Sequence, residues 1–407
     1  MSTIDKPRAT VRGAADQVLE HLADVRERVR TGQLRSLAGV GALVLIWVVF
    51  RVISPAFLTP DNLVALTLQS ASLGCLALGV VLVMMIGQID LSVGAVSGLS
   101  SAIVAVVFMQ ADLPLWVAVV AAVSCGAAIG LVYGLLSAYL GLPSFVLTLA
   151  GLLVVLGVQL WVLGETGSVN LPFDTWLVRF SQQGFLSTTT SLLVAAGVVA
   201  LNAWTLVHER GRRERADLPA DSLVWIGLKV VGLAVLLAVS ILYLGKDRGI
   251  GYPVALLLLV VTLTDVALRR TRWGRAVRAV GGNVDSARRA GMQVRRVTVQ
   301  VFVISSTFAA VGGVLAVGRL AAANQGSGGA EASLTAIAAV LIGGVSLFGG
   351  RGSAWSAFVG VLVVQSIASG LTLMNAGLSV RYMIIGAVLV LAVALDTRLK
   401  RGALQPR

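Results

Sequence analysis

Apolar runs long enough to cross a bilayer recur along this chain with only short polar breaks between them, and that repetition leaves few folds open. A span needs about 17 to 25 residues. Windows of roughly that length fall near 36–53, 70–86, 90–109, 115–138, 144–164, 187–207, 223–244, 252–268, 297–318, 334–348, 354–374 and 380–396. Lipid offers no hydrogen-bond partners, so each backbone N–H and C=O must pair within its own segment, and runs like these do so as helices. The expectation is an all-α, polytopic membrane helix bundle of ten to twelve transmembrane helices, twelve by the count of windows. A charged fraction of 13% and a mean hydropathy of +0.91 exclude a single soluble core.

The basic residues set the direction of threading. Between Arg269 and Arg296 stand nine arginines and one acid, Asp285. Inserting arginine into hydrocarbon costs about 2.5 to 3.5 kcal/mol per residue, and basic loops are retained on the cytoplasmic side. Twenty-five of the 32 lysines and arginines lie in 1–35, 208–222, 269–296, 349–353 and 397–407. With an even number of spans, both termini are then cytoplasmic. The chain divides into a cytoplasmic head over 1–35, a transmembrane domain over 36–396 and a cytoplasmic tail over 397–407. The same distribution accounts for the net charge of +13 without nucleic acid as a partner. The head has neither the apolar run nor the small-residue cleavage site of a signal peptide. An outer loop from Phe57 is expected to open the second helix near Pro60 or Asp61, and a longer outer loop spans 165–186.

Polar residues enter the membrane at few places. Gly87-Gln88-Ile89-Asp90-Leu91-Ser92-Val93-Gly94 interrupts an otherwise apolar stretch of about forty residues. A helix break at that depth is tolerated where the freed backbone faces protein or water, and broken helices often line transport sites. Asp90 or Ser92 is expected to cap the next helix, with Gly87 and Gly94 letting the chain turn. The competing reading is a capped tight turn at the inner surface that touches no ligand. Gln69, Gln159, Asn324, Gln325, Glu331, Gln365, Asn375 and Arg381 are scattered near span ends, where helix–helix hydrogen bonding is the commoner role.

Several chemistries are excluded. The run Gly343-Gly344-Val345-Ser346-Leu347-Phe348-Gly349-Gly350-Arg351-Gly352 lacks the Gly-Lys-Ser/Thr ending of a phosphate-binding loop, so no ATP site or other cofactor is expected on this chain. Its glycines suit close helix packing and a sharp turn. His21 and His208 have no serine or cysteine nucleophile beside them, so no catalytic residue is assigned. Cys75 and Cys125 lie inside apolar runs without metal-ligand spacing, and no metal site is assigned either.

Four motifs in order over 87–352 carry a family likeness. Gly274-Arg275, Ala279-Val280-Gly281-Gly282-Asn283 and Ala287-Arg288-Arg289-Ala290-Gly291-Met292 resemble the cytoplasmic signature of the membrane subunits of bacterial ribose- and xylose-type ATP-binding-cassette sugar importers. Ile89-Asp90-Leu91-Ser92-Val93-Gly94, Pro143-Ser144-Phe145-Val146-Leu147-Thr148-Leu149-Ala150, and Ala336-Ile337-Ala338-Ala339 with Gly343-Gly344 and Ser346-Leu347 resemble three further family elements. An additional hairpin near 187–244, with Arg210, Arg212, Arg213 and Arg215 at its inner turn, points to the xylose-type branch. One element departs: members often carry acids just before Ala336, where this chain has Ser333-Leu334-Thr335.

The resemblance implies a permease subunit in a bacterial inner membrane that imports a monosaccharide, a pentose such as xylose first among the choices. It implies a separate ATPase with two nucleotide-binding domains that uses ATP and Mg, an extracytoplasmic sugar-binding protein, and a second permease chain. Membrane lipid is the remaining partner. Gly274, Arg275, Gly281, Gly282, Asn283, Ala287, Arg288 and Gly291 become candidates for coupling to the ATPase through the loop 269–296. Gln88, Asp90, Ser92, Ser144, Thr148, Asn324 and Glu331 become candidates for the substrate path, and Gly87, Gly94, Gly343, Gly344, Gly349 and Gly350 for gating or packing. The rival readings are the same role for ribose, galactose or another sugar, and an ion-coupled secondary carrier with Asp90 as its titratable group.

Overall fold

The computed structural model describes residues 35–403, so the expected head, but for Arg35, and the last four residues of the tail lie outside the described residues. The helices are α1 (Arg35–Ile53), α2 (Pro60–Met85), α3 (Val93–Met109), α4 (Leu115–Leu140), α5 (Ser144–Leu163), α6 (Thr188–Arg215) and α7 (Leu223–Leu244). They continue as α8 (Tyr252–Arg270), α9 (Arg272–Gly282), α10 (Val284–Arg289), α11 (Val294–Leu320), α12 (Gly329–Ile342), α13 (Ala354–Leu373) and α14 (Leu378–Ala403). Among the described residues, eight are long and apolar enough to cross a membrane: α2, α4, α5, α6, α7, α8, α11 and α13. Shorter apolar stretches in α1, α3, α12 and α14 occupy the other four windows.

Two windows shift. The second helix starts at Pro60, ten residues before the window at 70–86, because Pro fits the first helical turn and Asp61 complements the N-terminal end of the dipole. The window at 334–348 holds α12, which begins at Gly329 and stops at Ile342, where the glycine-rich stretch leaves the helix.

The core forms around α11, against which α2, α3 and α4 pack. Gly126, Gly130 and Gly134 recur every four residues and so share one face of α4. A Cβ at Gly130 would collide with the Phe302 carbonyl, and one at Gly134 would lie 2.7 Å from Val299 Cα. Close backbone approach of this kind drives helix association where lipid is as apolar as leucine. Hydroxyls add bonds at the same interfaces: Ser72 and Ser101 donate to the Gly312 and Gly313 carbonyls at 2.7 and 2.8 Å. Gln365 likewise donates to the Gln69 carbonyl at 3.2 Å, an interhelical bond as anticipated for these amides.

Two short antiparallel pairings tie the loop over 165–186 to the bundle. In the first, β1 (Ser168–Asn170) meets β4 (Ala322–Asn324), with Val169 opposite Ala323. In the second, β2 (Phe185–Leu186) meets β3 (Ile250–Gly251). Between them a helical turn over Trp176–Val178 and Arg179–Gln183 covers the end of α11. The hairpin α6–α7 is capped by Ser187 and Ser222, whose hydroxyls accept from Thr190 N and Trp225 N. Its helices pack on each other and leave most of their surface outside the protein.

Candidate functional site

The break at 87–94 is an extended joint inside the bundle. It leaves the end of α2 and runs along the first turns of α5, where Ile89 N donates to Ser144 Oγ at 3.3 Å and Leu91 N to Thr148 Oγ1 at 3.1 Å. Two motifs separated by about fifty residues in sequence therefore meet, because the hydroxyls of Ser144 and Thr148 serve a backbone that has no ladder of its own. Gln88 approaches Ser137 at 3.5 Å.

Asp90 is 1% exposed. One carboxylate oxygen accepts from Ser92 N at 2.9 Å and from Ser92 Oγ at 2.7 Å. The acid thus sits just ahead of α3, at the positive end of that helix's dipole. Its second oxygen is buried without a hydrogen-bond partner, as are Tyr133 Oη on α4 and Ser305 and Ser306 Oγ on α11. Ser305 and Tyr133 are its polar neighbours from α11 and α4.

The expected cap of α3 is corrected. Ser92 occupies the N-cap position without a capping bond from its side chain, and Asp90 bonds to Ser92 alone. The first turn is capped from across the bundle: Gly94 N donates to Ser333 Oγ of α12 at 2.8 Å. The two helices approach so closely there that a Cβ at Gly94 would overlap the Gly329 carbonyl, and one at Gly328 would lie 2.6 Å from Gly98 N. Ser333, in the element that departs from the resemblance, therefore supplies the side-chain hydrogen bond between the close-packed N-terminal turns of α3 and α12.

The stretch ahead of α12 is held by Gln159 of α5, fully buried, whose amide donates to the Asn324 and Ser327 carbonyls at 3.2 and 3.0 Å. Asn324 itself is exposed and folds the turn, its Oδ1 accepting from Gly326 N at 2.9 Å. Glu331 is exposed, accepts from Tyr382 Oη at 2.7 Å, and lies about 200° around α12 from Ser333. The joint therefore brings together Gln88, Asp90, Ser92, Ser144 and Thr148, and does not gather Asn324 and Glu331 with them. Sequence reading missed Tyr133, Ser305 and Ser306, noted Ser333 only as a departure from the family's acids, and left Gln159 among scattered amides.

The basic segment folds as two short helices. Thr271 caps α9 by accepting from Gly274 N at 3.1 Å, and Asn283 caps α10 by accepting from Ser286 N at 2.7 Å. Gly274, Val277 and Val280 form the buried face of α9, and Ala287 is the buried residue of α10. Arg275, Gly282, Asn283, Arg288 and Gly291 are exposed. Gly281 lies directly on the end of α2, where a Cβ would overlap the Met85 carbonyl and sit 2.6 Å from Gly350 N. Gly350 N in turn donates to that same carbonyl at 2.9 Å. At Gly349 and Gly350, φ of +83° and +73° lets the chain turn into this contact. A Cβ on Gly349 would lie 2.8 Å from Gly87 N, whereas Gly343 and Gly344 lie at the other end of the loop, against Ser356 and after α12. Three glycine-bearing motifs thus converge where α2 ends and the joint begins.

Apolar helices of spanning length around a buried polar break define a multi-pass helical membrane protein. The chain belongs to the permease family described as "Branched-chain amino acid transport system / permease component", whose model matches residues 62–393. It is similar to the xylose transport system permease protein XylH of Haemophilus influenzae, 32% identical over 347 residues covering 85% of this chain and 91% of that one. XylH of Escherichia coli K12 is 34% identical over 350 residues, covering 85% and 87%. The ribose import permease protein RbsC of the same strain is 28% identical over 357 residues, covering 88% and 92%. The resemblance carried by the four motifs is borne out. The family description speaks of amino acids and these relatives of sugars, so the family is wider than one substrate class. No solved structure matches the chain.

Proposed function

We propose that the chain is the membrane subunit of an ATP-binding-cassette importer in a bacterial inner membrane, passing a pentose such as xylose to the cytoplasm. Both termini and the segment 269–296 face inward, and the segment docks on a separate ATPase whose two nucleotide-binding domains use ATP and Mg. An extracytoplasmic binding protein delivers the sugar, and a second copy of the permease completes the path.

The observation that supports this most directly is the seat of Gly281 on the Met85 carbonyl. A close-packed backbone contact transmits displacement because it has no slack to absorb it. Movement of α9 and α10 by a docked ATPase therefore moves the end of α2 at Met85 and, two residues further on, the joint at Gly87. The joint offers a polyol Gln88 and Ser144, both partly exposed, near buried groups of Asp90 and Tyr133 with unused hydrogen-bonding capacity, while Ser92 and Thr148 hold the joint itself.

The test is uptake of labelled xylose into proteoliposomes holding permease, ATPase and binding protein. Arg275→Glu combined with Arg288→Glu should cut ATP-dependent uptake at least tenfold with insertion unchanged, since both side chains are exposed and neither caps a helix. Undiminished uptake in that variant would remove the docking role. Uptake driven by a proton gradient without ATP would favour the ion-coupled carrier instead.

A further inference from the structure

The inner end of the hairpin α6–α7 holds a cavity of about 420 Å³ that the transport path does not use. Its walls are the last turns of α6, Leu218 of the connecting turn, and Arg270, the final residue of α8. Arg212, Arg213 and Arg270 line it with one carboxylate, Glu209, and that carboxylate is paired with Arg213 at 3.0 Å. Among the described residues, Arg212 and Arg270 have no carboxylate partner. Two unpaired guanidinium groups therefore border one cavity, beside Trp204 and His208 stacked at 5.5 Å.

The position of the cavity selects its occupant. Toward the outer side, Leu193, Val198 and Leu201 of α6 and Val231 and Val235 of α7 are 49–69% exposed, and surface of that kind at spanning length is covered by acyl chains. Toward the inner side the helix turns to Arg210, Arg212, Arg213 and Arg215. Trp204, 63% exposed, stands at the changeover, the level at which tryptophan prefers the headgroup layer. The cavity thus opens at headgroup depth.

We propose that this cavity binds the phosphate headgroup of an anionic phospholipid. Guanidinium forks donate in pairs to phosphate oxygens, and basic pockets between transmembrane helices on the cytoplasmic side are a recurring form of such sites. Arg270 immediately precedes Thr271, the cap of α9, so a bound headgroup bridges the hairpin to the root of the basic segment. The leaflet that supplies the lipid rests on the inward orientation proposed above. Binding itself does not, so the two can fail separately.

The experiment is native mass spectrometry of the full-length chain in detergent, titrated with dioleoyl-phosphatidylglycerol or dioleoyl-phosphatidylcholine. The expected result is retention of phosphatidylglycerol over phosphatidylcholine, with affinity falling about tenfold or more in Arg212→Gln/Arg270→Gln. Arg212→Lys/Arg270→Lys should keep most of the affinity, which separates lost charge from lost fold. Equal losses in the outer-loop control Arg179→Gln/Arg248→Gln, or no loss in the first variant, would overturn the proposal. Displacement of the lipid by millimolar inorganic phosphate would assign the cavity to a soluble anion and overturn the lipid as its occupant. Unchanged lipid binding with loss of ATPase co-purification in the Gln variant would assign it to protein docking and overturn it likewise.

Discussion

Two regions of this bundle have nearly the same hydropathy and opposite surroundings. The most apolar window of α2 has a mean hydropathy of 2.0 and is 83% buried in protein, whereas that of α6 has 1.8 and is 6% buried. Hydropathy therefore identifies what can cross a membrane and says nothing about whether lipid or protein covers it. Glycine count does not decide it either. Gly197, Gly211, Gly227 and Gly232 in the hairpin have open space where a Cβ would go, while Gly74 and Gly79 of α2 press against Leu257 and Ser305. The difference lies in what stands opposite: a core glycine matters because another backbone or a branched side chain fills the space it leaves.

The contrast can be broken most sharply at paired glycines. Gly130→Val should cost about 1 to 3 kcal/mol through overpacking against the Phe302 carbonyl, seen as a lower thermal midpoint in detergent and lower folded yield. A midpoint equal to that of the parent would mean that the α4–α11 seam is not the close contact described. Ser333→Ala should cost about 1 to 2 kcal/mol by leaving Gly94 N unpaired within the bundle, with Ser333→Thr closer to the parent. Equal stability of Ser333→Ala and the parent would show that α3 finds its cap elsewhere.

Excision of the hairpin is the next smaller effect. Thr188 and Gly245 already stand together, a Cβ on Gly245 lying 3.0 Å from Thr188 Oγ1, so a short linker can close the gap. The excised chain should insert and melt cooperatively, losing about 1 kcal/mol with the bond from Tyr243 to the Leu58 carbonyl. Failure to fold would make the hairpin part of the core. Smallest of all, Gly232→Val should stay within about 0.5 kcal/mol of the parent. A loss comparable to that at Gly130 would reveal a protein surface covering α7.

Much of the fold was legible because each span carries its own signal in an unbroken run of residues. The twelve windows, the start at Pro60 and the break at 87–94 all came from local composition, and the four motifs gave the family. What could not be read were partners distant in sequence. Ser333 caps Gly94 from 239 residues away, and Gln159 holds Asn324 from 165 away. A serine or glutamine in an apolar run looks the same whether it bonds its own helix or another. The cap of α3 was misassigned for that reason: Asp90 and Ser92 were the local candidates, and the donor's partner lay on α12. Tyr133 and Ser305 escaped notice because nothing in the sequence brings α4 and α11 together around an acid.

The pairing of β1 with β4 joins the loop over 165–186 to the stretch leading into α12 through main-chain bonds, with Val169 and Leu171 buried in one apolar cluster with Ala321 and Ala323. Main-chain bonds are indifferent to most side chains, so the exposed letters of the strap, Ser168 and Asn170, can change while Val169 is held by its burial. The solvent-facing letters of the loop are thereby free to vary while its mechanical tie to the bundle stays as it is.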